Sequence, residues 1–150
     1  MILTPRMIRE RSLLDPFSER AVENGMTYGL GPAGYDVRIA ETIMLKPGAF
    51  ALASTIERFS MHSDVIGFVH DKSTWARRGL AVQNTVIEPG WRGWLTLELT
   101  NHGYSDLMIQ SGSPIAQVIF HLLPEPTETP YDGKYQDQMP GAQPARFEPE

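Results

Sequence analysis

The 150-residue sequence predicts an all-β domain, a sandwich, jelly roll or barrel, on three observations. Short runs of β-forming residues recur: Ile43–Leu45, Ala49–Leu52, Val65–Val69, Ala81–Gln83, Trp94–Thr100, Leu107–Ile109 and Ile115–Leu122. Turn chemistry separates them at Lys46-Pro47-Gly48, Glu88-Pro89-Gly90, Asn101-His102-Gly103 and Gln110-Ser111-Gly112-Ser113-Pro114. Helical signals are confined to a short N-terminal element and one turn near Lys72.

At the N-terminus, Thr4 and Pro5 have the chemistry of an N-cap and first helical position, opening a helix through about Leu14 with Ile8, Leu13 and Leu14 as its buried stripe. From Tyr28 the pattern turns Gly-rich, then alternates through Tyr35-Asp36-Val37-Arg38-Ile39, a short strand. Gly29, Gly31 and Gly34 read as turn or bulge residues, because their spacing does not fit a dinucleotide loop and no helix follows. The β-rich region ends near residue 123. Six prolines then fall between Pro124 and Pro149, mixed with acids, Gly and Gln, so residues 124–150 have no core of their own. This tail reads either as disordered chain or as a lid carrying Tyr131, Lys134, Tyr135 and Gln138.

Composition bounds the function. A chain this long buries about two-thirds of its unfolded surface as one domain, and 41% hydrophobic with 21% charged residues is ordinary for a soluble globular protein. A net charge of −5 argues against binding nucleic-acid backbones. The absence of cysteine removes thiolate zinc chemistry, including the His/Cys/Cys site of zinc nucleobase deaminases, and suits the cytoplasm. No signal-peptide core or membrane-length apolar run is present. The four histidines, His62, His70, His102 and His121, show no metal-binding spacing and read as structural or surface residues.

Three segments carry chemistry. In Asp71-Lys72-Ser73-Thr74-Trp75-Ala76-Arg77-Arg78-Gly79-Leu80, Ser73 or Thr74 caps a short helical turn, Gly79 ends it, and Lys72, Arg77 and Arg78 surround it with positive charge. Such a turn suits phosphate; the alternative is a capped surface helix with solvated cations. In Trp94–Thr100, alternation puts Leu95, Leu97 and Leu99 on one face and Trp94, Thr96, Glu98 and Thr100 on the other. Glu98 is then an exposed carboxylate or one that faces a site. Between them, Ile87-Glu88-Pro89-Gly90-Trp91-Arg92-Gly93 is a tight connection in which Trp91 anchors the turn and Arg92 can pair with a carboxylate.

Taken together with Gly34-Tyr35-Asp36-Val37-Arg38 and Lys134-Tyr135-Gln136-Asp137-Gln138, these segments resemble the dCTP deaminase family of the trimeric dUTPase superfamily, in its order and over nearly the whole chain. The resemblance implies a distorted jelly-roll-like β-barrel over residues 1–123, with residues 124–150 as a flexible lid, assembled as a homotrimer with active sites between subunits. It implies a dCTP or dUTP nucleotide as substrate, with Mg2+ held through the triphosphate rather than by protein ligands. By position, Ser73 and Arg77 bind phosphates with Lys72 or Thr74 assisting, and Tyr131, Lys134 and Gln138 close from the tail. Glu98 is the general base, without zinc.

The sequence departs from the family where Ala81–Ile87 makes a shorter base loop, with Glu88 in place of the more frequent Asp and Lys72 in place of Arg. Asn84 and Thr85 are the candidates there for contact with the base or a water, and Glu88 for the sugar or a water. The expectation is zinc-independent deamination of dCTP to dUTP. Its alternatives are a dUTP diphosphatase, a bifunctional enzyme, or a nucleotide-binding regulator without turnover.

Overall fold

The computed structural model describes residues 1–150, and its architecture is the expected all-β one. Three antiparallel sheets wrap one core. The strands are β1 (Leu14–Asp15), β2 (Ala21–Glu23), β3 (Met26–Leu30), β4 (Tyr35–Arg38), β5 (Ile43–Leu45), β6 (Phe50–Ser60), β7 (Val65–Asp71), β8 (Leu80–Val82), β9 (Val86–Ile87), β10 (Arg92–Asn101), β11 (Leu107–Ile109) and β12 (Pro114–Leu122). One sheet runs β2-β3-β4-β12-β7-β9, a second β1-β6-β10-β8, and β11 pairs with β5 alone. Alternation delivers the core: Tyr35 and Val37 of β4, Leu97 and Leu99 of β10, and Val118 and Phe120 of β12 are all fully buried.

Two expectations on the elements change. Helix α1 spans Pro5–Arg11, capped by the Thr4 hydroxyl, which accepts from the Met7 N–H. It stops three residues early because Ser12 turns left-handed (φ 51°). Leu14 is therefore buried from β1, opposite Phe59, and not from a helical stripe. Likewise the Ala49–Leu52 run is only the start of an eleven-residue strand, β6. Its second half, Ile56-Glu57-Arg58-Phe59-Ser60, carries two charged residues and reads poorly as a strand in isolation.

The reason lies in Glu57. This carboxylate is wholly buried and binds Arg38 twice, accepting from its backbone N–H (2.9 Å) and its Nε (2.8 Å). The pair ties β6 to β4 across the two large sheets. Beside it the β6–β10 ladder widens: Trp94 pairs with Arg58 and Thr96 with Ser54, so three residues of β6 face Leu95 alone. The Thr55 hydroxyl fills the gap, accepting from Leu95 N–H and donating to Glu57 C=O.

Candidate functional site

Where β10 leaves that widening, a cavity of about 550 Å³ opens over its outer face. Phe50 and Leu52 of β6 form one wall and the Asn84–Glu88 segment another. Leu95, Thr96 and Glu98 make the floor, and Tyr131, Tyr135, Gln138 and Gln143 from the tail cover it. Leu95 joins Thr96 and Glu98 here because the irregular ladder breaks the alternation the sequence predicts.

Glu98 is half-buried on this floor, directly across from Leu52. No ion pair or hydrogen bond reaches its carboxylate, and burial alone pushes its pKa above the usual carboxylate value. Such a group holds and releases a proton closer to neutrality than a solvated glutamate does. The cavity lining contains no Lys, Arg or His.

The tail is seated rather than loose. Trp91 Nε1 donates to Tyr135 C=O (2.7 Å), and Tyr131 N–H donates to Pro89 C=O (2.8 Å). The Arg92 guanidinium pairs with both oxygens of Asp137 at 3.0 Å. This exposed pairing lowers the Asp137 pKa. Gln138 is buried; its Nε2 donates to Trp94 C=O (2.8 Å) and the Thr96 hydroxyl (2.9 Å), while its own C=O accepts from Trp94 N–H. Gly93 makes the docking possible, since with φ 143° a Cβ there would lie 2.7 Å from Gln138 N. Gln143 N–H completes the cover by donating to the same Thr96 hydroxyl (3.1 Å).

One chain thus gathers Glu98, Asn84, Thr85, Glu88, Tyr131 and Gln138 around one cavity, with Thr85 and Glu88 exposed to its mouth. Lys72, Ser73, Thr74, Arg77 and Lys134 stand outside it. The short helix α2 (Ser73–Ala76) begins after Lys72, so Ser73 opens the helix and neither Ser73 nor Thr74 supplies a side-chain cap. Gly79 does end the turn left-handed (φ 93°), packed so closely on Gly103 that a Cβ would meet its N at 2.4 Å. Ser73, Thr74 and Arg77 are exposed, and Arg77 has no ion pair. Lys72 is buried instead. Its ammonium donates to Asp36 at 2.7 Å, with Ser73 beside it on a separate polar cavity of about 670 Å³. Lys134 lies 3.6 Å from Glu148 and over the Tyr135 ring.

Tyr135, which the tail motif contains, lines the cavity, whereas Leu52, Thr96 and Gln143 are lining residues that the sequence did not offer as site candidates. Thr96 shares the strand face of Glu98, a signal present in the alternation. Leu52 needs the β6–β10 register, and Gln143 needs the path of the tail; neither is local information.

A family model described as dCTP deaminase-like matches residues 32–123. The dCTP deaminase of Acidobacterium capsulatum is 33% identical over 174 aligned positions, covering 92% of this chain and 95% of that protein. The dCTP deaminase of Campylobacter fetus is 35% identical, covering 89% and 91% respectively. Among solved structures, EIAV dUTPase superposes with a TM-score of 0.60 at 21% identity, over 81% of this chain and 97% of its own. The Staphylococcus bacteriophage 80alpha dUTPase gives 0.59 at 18%, over 79% and 92%. The structural likeness identifies a dUTPase-like fold.

Proposed function

The chain belongs to the dCTP deaminase-like family, and on that premise we propose that it hydrolyses dCTP to dUTP and ammonia, with Glu98 as the general base. One observation carries this reading: a carboxylate without a partner, raised in pKa by burial, on the floor of a cavity large enough for a nucleoside. Attack at C4 of cytosine forms a C–O bond from water, whose proton passes to Glu98. Glu98 delivers that proton to ring N3, and the same carboxylate then carries the new C4 hydroxyl proton to the amino group, which leaves as ammonia as the C–N bond breaks and C4=O forms. A base whose pKa burial raises above the ordinary carboxylate value serves both transfers better than a solvated one.

Thr85 and Asn84 stand on the base side and Glu88 toward the sugar, while Tyr131, Lys134 and Gln138 close from the tail. Ser73, Thr74 and Arg77 bind the triphosphate, and Lys72, tied to Asp36, holds the turn that presents them. Because those cations stand outside the Glu98 cavity of their own chain, a second copy supplies them. This is the arrangement of a homotrimer with intersubunit sites. No three His, Asp or Glu side chains cluster. A Mg2+ would then be held through the nucleotide's triphosphate rather than by a cluster of protein ligands, and would supply neutralisation of phosphate charge. With no cysteine in the chain, the reaction is read as zinc-independent.

A dUTP diphosphatase or bifunctional activity is the second reading, favoured by the exposed Glu88 carboxylate at the mouth of the same cavity. The purified protein with Mg2+ and dCTP or dUTP separates them. Ammonia with dUTP supports deamination alone, and pyrophosphate from dUTP supports the diphosphatase. Nucleotide binding without either product overturns both in favour of a regulator.

A further inference from the structure

We propose that Asn84 is the positioning residue for Glu98, its side-chain amide standing in for a strand peptide that the chain does not provide. The inference rests on the reading of Glu98 as the base. The β8–β10 ladder pairs Leu80 with Asn101, Ala81 with Thr100 and Val82 with Leu99, and its last backbone bond runs from Gln83 N–H to Glu98 C=O (2.8 Å). The chain then turns away, and Val86 pairs with Phe68 of β7 in the other large sheet. Beyond that point the edge of β10 has lost its neighbour just where Glu98 projects.

Asn84 fills the vacancy. Its Nδ2 donates to Thr96 C=O at 2.7 Å, and its Oδ1 accepts from Glu98 N–H at 3.0 Å. These two bonds straddle Leu97 and grip the peptide units on both sides of it, as one residue of a parallel strand would. Leu97 and Leu99 are fully buried on the opposite face, so the backbone held by Asn84 aims Glu98 into the cavity. No hydrogen bond or ion pair reaches the carboxylate itself, so its aim is set by the backbone, where Gln83 N–H holds Glu98 C=O and Asn84 holds Glu98 N–H.

The geometry also couples substrate recognition to catalysis. Asn84 and Thr85 lie within the shortened segment and open the part of it that walls the cavity, so a displacement of that wall reaches the Glu98 N–H through a single side chain. Asn84 acts here through Glu98, not on the reacting atoms.

The test compares Asn84→Ala, Asn84→Asp and Glu98→Gln by ammonia release from dCTP with Mg2+, with thermal melts to establish folding. Misplacing the base is expected to lower kcat of Asn84→Ala by ~10–100-fold while KM changes by less than ~3-fold. The pH profile adds a readout that a purely structural role would not move. The titratable groups lining the cavity are Glu98, Glu88 on the turn after β9, and Tyr131 and Tyr135 of the tail, with no cation from any wall. In Asn84→Asp the new carboxylate still accepts from Glu98 N–H. It adds negative charge beside Glu98, moving the acidic limb to higher pH. In Asn84→Ala, water replaces the amide and the limb moves lower.

A KM rise with kcat retained, or both variants within ~3-fold of the parent kcat with unmoved limbs, overturns the positioning role. If Glu98→Gln still deaminates, the reading of Glu98 fails first, whatever Asn84 does. A dead Glu98→Gln beside an unaffected Asn84→Ala removes only this inference.

Discussion

Glu98 and Leu52 face each other across the β6–β10 ladder, so the carboxylate rises against an aliphatic side chain and meets no cation. Its pKa is raised above the ordinary 4.5 by burial, and a base must be ionised to act. The acidic limb of kcat/KM for deamination is therefore expected above the usual carboxylate range. A profile over about pH 4 to 9 checks this, and a limb at or below the ordinary value would sink it. Glu98→Gln is expected to lose ~10²–10⁴-fold in kcat with triphosphate binding kept.

The same shift has a sign in stability. A carboxyl whose folded pKa lies above its unfolded one favours the fold fully below the unfolded pKa, and that contribution is lost as pH rises through the folded pKa. Glu98→Gln should then melt with the parent at low pH and above it near neutrality. Equal Tm values at both ends would show that Glu98 is not held in a desolvating site.

Gly93 controls whether the tail can seat. An alanine there meets Gln138 N at 2.7 Å and Gln138 O at 2.8 Å, both backbone atoms, and must adopt a φ of 143°. Gly93→Ala is expected to strain the docked state by about 1–3 kcal/mol, enough to raise the undocked population by roughly 5- to 150-fold. Limited proteolysis reads this as faster cleavage within residues 131–146, accompanied by a higher KM for nucleotide. Unchanged protection would mean that the parallel contact of Gly93 with Gln138 does not hold the tail.

The legible parts of this molecule are those written in local pattern. The alternation of Leu97, Glu98 and Leu99 predicts a carboxylate on the face opposite two buried leucines, and β10 presents it so. Strands β5 and β11 carry their bounds in their β-forming runs. Elsewhere pairing overrides pattern. Leu95 lines the cavity while still packing on the core, where three residues of β6 stand against it, and beside that widening Glu57 is bound to Arg38 of another strand. The tail looks featureless in composition because its order comes from Trp91, Arg92, Gly93 and Trp94, more than thirty residues upstream. Lys72 reads as a free cation in sequence, and its pairing with Asp36, thirty-six residues away, is not local information.

Arg38 and Glu57 make a prediction of the opposite electrostatic kind. Glu57 is 0% exposed, and burial pushes its carboxyl up even with Arg38 donating to it. Arg38→Met leaves that carboxylate buried without a cation, which costs about 3–5 kcal/mol and lowers Tm by roughly 10 °C for a domain of this size. Since the raised pKa makes the ionised form the destabilised one, the deficit should grow from pH 5 to pH 8, and Arg38→Met with Glu57→Gln should recover much of it. A pH-independent deficit would place the loss in packing rather than charge.

Ser73 and Arg77 lie outside the Glu98 cavity of their own chain, so a composite site makes a quantitative prediction for mixed oligomers. Arg77 is exposed and unpaired, so Arg77→Ala should leave Tm nearly unchanged while lowering kcat/KM ~10–100-fold through lost phosphate contacts. Glu98→Gln removes the base and keeps Arg77. Coexpressed in equal amounts, the two variants assort at random. A site that takes Glu98 from one subunit and Arg77 from the next is intact in both with a probability of about one half times one half, so about a quarter of parental activity returns. Each variant alone stays near inactive, and both must run as the same oligomer in size-exclusion chromatography. Mixed oligomers that recover no activity would mean that Glu98 and Arg77 serve one site within a single chain, and an Arg77→Ala protein that is fully active alone would mean that Arg77 serves none.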